Sequence, residues 1–307
     1  MAISSSLPVV VHPPVRSISL PTREHPSSIQ VEALLNHLKS CQFSLVSTPV
    51  RFAAETIQTG LVGLADLYTC LEEFITQQAL LPNGHGNVVL VEEALDGSIT
   101  LLDTCNIARE ILLTMNEHVQ RLQSALRRKG RDSSIETSIH AYISYRKNAK
   151  KEIIKCLAAL KRMDRSNINS SSPLLDLDHQ PSMVAKILRE TSTITISIFR
   201  ALLEFLSVPA TKTKAGGWSM ISKLMPIRSS SSSEKEKKIG NLVGGLDFAL
   251  YSLVGNLQST DTRAEVEMAQ RMLETFSLTS EGIVGGLDCM FRCLVQHRVS
   301  LLNILTQ

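Results

Sequence analysis

The chain has 307 residues, a formal net charge of +3 and 43% hydrophobic residues, enough apolar material to exclude wholesale disorder. Aromatics make up only 4%, with one Trp, so Leu, Ile, Val, Ala and Met must fill the core, which argues against a β-sandwich. Six cysteines without a C-x-x-C pair read as buried thiols in a reducing compartment rather than as a disulfide scaffold.

Residues 1–26 form a Pro/Ser-rich tail that is expected to be disordered. Its start, MAISSSLPVVVHPPVR, lacks a charged n-region and holds too many prolines for a secretory signal. Hydroxyls without an acid before Glu24 give it a faint transit-peptide character, which ranks a plastid below the cytoplasm. A first helix is predicted from HPSSIQVEALL, with Ser27 or Ser28 as N-cap and Val31, Leu34, Leu38, Cys41 and Leu45 on one face. A second begins near Ser47, Thr48 and Pro49 and carries Val50, Ala54, Ile57, Leu61, Leu64, Tyr68, Leu71 and Ile75 at alternating spacings of four and three. LPNGHGN, residues 81–87, is a loop by composition.

The third helix runs from about Val88 to Lys129, with Asp96-Gly97 as a candidate kink or break. Within it Cys105, Ala108, Leu112, Met115, Val119, Leu122 and Leu126 keep a strict three-four rhythm. After a turn at 130–134, Ile135, Ile139, Tyr142, Arg146, Ala149, Ile153, Cys156, Leu160 and Met163 repeat it on a fourth helix. Residues 167–181 form a loop. Val184, Ile187, Thr191, Ile194, Ile198, Ala201 and Phe205 fit a helix, although TSTITISIF also alternates like a strand; the length of the pattern and its helical neighbours favour helix. KTKAGGWSMISKLMP holds a short helix ended by Pro226, and 227–234 is a low-complexity loop. Two or three more helices are predicted over about 235–258, 262–277 and 280–306. Segment 239–258 is the nearest approach to a membrane span, but its central Asp247 would cost about 2.5–3.5 kcal/mol on insertion, so a core or surface helix is favoured.

The expected fold is therefore all-α: an elongated antiparallel helical bundle with coiled-coil-like long helices, forming one domain over 27–307.

No phosphate-cradling, dinucleotide, zinc-protease, nucleophile-elbow or calcium-loop motif is present in the sequence. CMFRCLVQH places Cys289, Cys293 and His297 four apart on one helix face. Positions eight apart lie about 12 Å apart along the axis, so all three cannot hold one ion, and packing is the preferred reading. Asp176, Asp178 and His179 in LLDLDHQ read as solvated turn formers. Glu72-Glu73 and Glu92-Glu93 diverge as adjacent helix positions do. No catalytic, cofactor-binding or metal-ligating residue is assigned, and the chain is not expected to be an enzyme.

Charge is distributed unevenly. Arg121–Arg165 holds thirteen Lys or Arg against four Asp or Glu. A basic contact patch is assigned to Arg127, Arg128, Lys129, Lys147, Lys150 and Lys151, as a solvated face or a surface for an acidic protein or anionic membrane. Nucleic acid is disfavoured, because no aromatic platform accompanies the charge. In the tail, RSISLP makes Ser19 a candidate phosphosite: Arg three residues before and Pro two after match the phosphoserine pattern read by adaptor proteins of the 14-3-3 type.

RSISLPTREHPSSIQVEALLNHLK, VEEALDGSITLLDTCNIAREILLTMNEHVQRLQSALRRK, GGWSMISKLM and FRCLVQHRVSLLNILTQ, in that order, resemble the plant BYPASS-related proteins, a plant-specific family built on a domain of unknown function. The resemblance spans nearly the whole chain. It implies a role in plant development, in root and shoot growth and in control of a mobile root-derived signal, and it supplies no catalytic residue to carry over. The expectation is a cytoplasmic, non-enzymatic helical interaction or scaffold protein. The alternative is a peripheral membrane-associated protein regulating a mobile developmental signal.

Overall fold

A computed structural model describes residues 26–47, 53–79, 86–128, 133–169, 183–207, 241–256 and 262–306. Among the described residues there are seven α-helices and no strand: α1 Pro26–Ser47, α2 Ala53–Ala79, α3 Gly86–Arg127, α4 Ser133–Asn169, α5 Met183–Ser207, α6 Leu242–Asn256 and α7 Arg263–Thr306. The fold is all-α. TSTITISIF is helical within α5, as a run of that length between helices predicts. The tail with Ser19, the segment KTKAGGWSMISKLMP, the loop 227–234 and the residues Asp176, Asp178 and His179 lie outside the described residues.

The apolar stripes read from the sequence become the core. All seven rhythmic positions of α3, Cys105 to Leu126, are buried. So are Ile57, Leu61, Leu64, Tyr68, Leu71 and Ile75 on α2, and Ile135, Ile139, Tyr142, Arg146, Ala149, Ile153, Cys156 and Leu160 on α4. Burying one Leu contributes roughly 1.5–3 kcal/mol, so each stripe far outweighs the propensity costs of the Thr, Ser and Gly residues beside it.

Residue pairs fix the helix directions. Ser27 meets Gln77 across α1 and α2 at 2.8 Å, and Leu38 lies against Gly63, so these two helices are antiparallel. Between α3 and α4, Gly97 faces Met163, Tyr145 donates to the Ile111 carbonyl, and His118 meets Tyr142 edge to face. That pair is also antiparallel. The last helix, α7, is wedged between α2 and α3 and also packs on α6. It runs against α3, with Arg298 donating to Leu95 O, Cys105 to Leu287 O and Ser280 to Asn116. It runs with α2, where Tyr68 meets His297 and Leu61 meets Gly286. Helix α5 fills the other side, against α1, α2, α3 and α4.

Three local expectations change. Helix α3 passes through Asp96-Gly97 unbroken, because Gly97 serves a close approach: a Cβ there would sit 2.7 Å from the Met163 methyl. The segments 262–277 and 280–306 are one 44-residue helix. SLTSEG does not break it, since Ser280 Oγ donates to Ser277 O at 3.0 Å and to Asn116 Oδ1 at 2.7 Å. Gly282 and Gly286 lie on its α2 side, where Gln58 and Leu61 come close. At the other end Pro26 opens α1, so Ser27 and Ser28 lie in its first turn rather than before it.

Candidate functional site

Helix α4 has two unlike faces. Its inner face carries Arg146, which is buried, and so does Asp247 on α6. Arg146 Nη2 donates to Asp247 Oδ2 at 3.1 Å, and Nε donates to Oδ1 at 3.1 Å. Nη1 reaches the Leu206 carbonyl at the end of α5 at 2.8 Å. The Tyr142 hydroxyl donates to Asp247 Oδ1 at 2.7 Å. Burial alone would disfavour the Arg146 charge, but Asp247, with Tyr142, outweighs it and holds the guanidinium above its ordinary pKa. Burial, then Asp247, pushes Tyr142 well up, so it stays a protonated donor. This network ties α4, α5 and α6 together, with its donors and acceptors mutually satisfied. Asn241 adds a stitch: its Nδ2 donates to Phe205 O at 2.8 Å, and its Oδ1 accepts from the Gly244 amide at the start of α6.

The sequence placed Arg146 in the core register of α4 and Asp247 in an otherwise apolar run, but gave no sign that they pair. Within the 239–258 run, Leu242–Asn256 forms α6, with eight buried residues including Asp247. No helix among the described residues is long and apolar enough to cross a membrane.

The outer face of α4 is cationic. Lys147, Lys151, Lys155, Lys161, Arg162 and Arg165 are all exposed. At 3.6 residues per turn they fall within about 120° of arc and span about 27 Å along the axis. No Asp or Glu between positions 147 and 165 lies on that arc. Glu152 sits beside it and pairs with Lys155 at 2.8 Å, while Asp164 points to Arg200 on α5 at 3.1 Å. The same arc holds Ile154, which is 64% exposed.

The structure separates the residues assigned to the basic patch. Lys147 and Lys151 lie on the arc. Lys150 is half-buried at its edge, and its pKa is lowered by burial and then by Arg146. Arg127 ends α3 and Arg128 is in the turn after it, beside the start of α4 and about 20 Å along the axis from Lys147. Arg128 lines a solvent-open polar cleft with Arg121, Glu117 and Ser138. Lys129 lies outside the described residues. Lys155, Lys161, Arg162 and Arg165 complete the row, and all four belong to the net-basic run from Arg121 to Arg165.

The neutral polar groups gather elsewhere. A half-open cavity of about 50 Å³ is lined by Tyr68, Ser98, Met163, Thr191 and His297, from five helices. Burial lowers His297 to about 4, so its ring is neutral near pH 7, and its Nδ1 has no hydrogen-bond partner among the described residues. The Tyr68 hydroxyl, pushed up to about 12 by burial, is 3.3 Å from Thr195 Oγ1. Such a space holds a few waters. Cys289 and Cys293 are half-buried on the same helix as His297, and no group of three or more His, Cys, Asp or Glu among the described residues is placed to hold a metal ion. Cys105 is buried, and its thiol is pushed up to about 12 by burial and then by Asp288. Asp288 itself accepts from Arg109 across α3 and α7.

No curated protein and no solved structure matches the chain. A family model described as Protein BPS1 matches residues 60–304, from the second turn of α2 almost to the end of α7, and on that match the chain belongs to the BPS1, or BYPASS-related, family.

Proposed function

We propose that this chain is a non-enzymatic docking protein of plant development, acting in root and shoot growth, and that the outer face of α4 is its main contact surface. One observation carries the reading: the exposed cation row from Lys147 to Arg165, edged only by Glu152, on a helix whose inner face is fixed by the Arg146–Asp247 network. A charge row of one sign held on a rigid support attracts and orients an anionic partner. Family membership supports the developmental role. The working compartment in this reading is the cytoplasm. The tail serves as a regulatory handle, with Ser19 the residue that phosphate-reading adaptors of the 14-3-3 type would engage.

Proximity labelling in plant root cells tests the surface. The variant Lys147→Glu/Lys151→Glu/Arg162→Glu alters exposed positions only and should leave the fold intact. It is expected to lose most of the neighbours labelled by the native chain. An unchanged set of neighbours removes α4 as the contact surface.

A further inference from the structure

We propose that the cationic face of α4 docks on an anionic lipid bilayer, with Ile154 entering the headgroup layer among the lysines. The inference rests on α4 being the contact face and names what that face meets. Charge complementarity supplies the attraction: six exposed cations lie along about 27 Å of one helix, with no carboxylate on their arc. Each Lys or Arg held near an anionic membrane raises affinity about fivefold.

Ile154 supplies the selectivity. It is 64% exposed, one turn or less from Lys151, Lys155 and Ala158, and turned away from the core that takes Ile153. An isoleucine amid a cation row gains nothing from water or from a phosphate backbone. At a bilayer interface it gains apolar contact while its neighbours keep their charges in the headgroups. The arc carries no aromatic side chain on which bases could stack, which disfavours a nucleic acid. The face is also preformed, since Tyr142, Arg146 and Ile153 hold the opposite side of α4 in the bundle. Docking therefore requires no ordering of the helix.

The test is vesicle flotation with the full chain. Vesicles of phosphatidylcholine alone are compared with vesicles that also contain phosphatidylserine, at low and high salt. The native chain is expected to float only with phosphatidylserine and to be released as salt rises. Lys147→Glu/Lys151→Glu/Arg162→Glu should bind about 100-fold more weakly or worse, from three cations at about fivefold each. Ile154→Gln, which keeps every charge, should also weaken flotation, whereas Ile154→Leu should retain it. Circular dichroism melts check that each variant is folded. Equal flotation with both vesicle types, no flotation with either, or full binding by the charge-reversed chain overturns the proposal. If the native chain ignores vesicles while charge reversal still strips its labelled neighbours in cells, the contact face stands and its partner is an acidic protein. If neither readout responds to charge reversal, both readings fail.

Discussion

Arg146 and Asp247 act as one unit, and their removal singly or together should have very different effects. Arg146→Met alone or Asp247→Leu alone leaves a buried charge without its counter-ion, and each is expected to destabilise the fold by about 3–5 kcal/mol. The double variant replaces the pair with apolar bulk and is expected to sit near the native stability, with Tyr142 then donating to nothing charged. Urea unfolding of the four proteins gives the coupling directly, and additive losses would show that the pair is not a unit. His297 makes a second residue-scale case, through pH. The unfolded ring titrates at about 6.5, and the folded ring at about 4. Between these values the unfolded chain binds a proton that the folded chain does not, so stability falls as pH drops through that window. The size is about 3 kcal/mol, reached near the lower end. His297→Gln removes the titration, and its stability measured from pH 7 down to pH 4 should decline less steeply than the native protein's. Parallel profiles would show that His297 is not the group responsible.

Among the elements, α7 shows what glycine does when it lies inside a long helix. Gly285 and Gly286 are adjacent, yet their surroundings are opposite. Gly285 is exposed, and a Cβ there would meet nothing within 4 Å. At Gly286 the Cβ would lie 3.1 Å from Leu61 Cβ, an atom fixed to the backbone of α2 that cannot swing aside. Gly285→Ala should therefore stabilise by about 0.5–1 kcal/mol through helix propensity alone. Gly286→Ala gains the same propensity but forces α2 and α7 apart, at about 1–3 kcal/mol, and should be neutral to clearly destabilising. Thermal melts of the two variants should move in opposite directions or at least separate, and equal upward shifts would show that the seam has slack. The break expected between 277 and 280 falls in SLTSEG, which has the composition of a loop, and only the proximity of α2 and α3 shows that the small size of Ser280, Gly282 and, further on, Gly286 serves packing. The four-three rhythm, by contrast, made α3 and α4 legible nearly residue by residue, because burial of a stripe depends on spacing along one helix and not on which neighbour covers it.

Across the whole molecule the same division holds. Fold class was readable because local periodicity and the scarcity of aromatics both favour helices. Partnership between distant elements was not: the Arg146–Asp247 contact joins residues 101 apart, and the α2–α7 seam joins residues more than 200 apart. The candidate contact face was half legible. Its charge was plain in the run from Arg121 to Arg165, but two features needed the fold. One is the half-burial of Lys150 at the edge of the row; the other is the exposure of Ile154. The helix that covers most of the groove between α2 and α3 is synthesised after the other six described helices. Until Arg263 and the turns after it leave the ribosome, Leu61, Leu64, Cys105 and Leu112 lack their main cover, whatever the earlier helices have done. A nonsense codon just ahead of Arg263 would thus spare six of the seven described helices and still yield a sticky, chaperone-bound product. Damage from late truncation should rival that from early truncation.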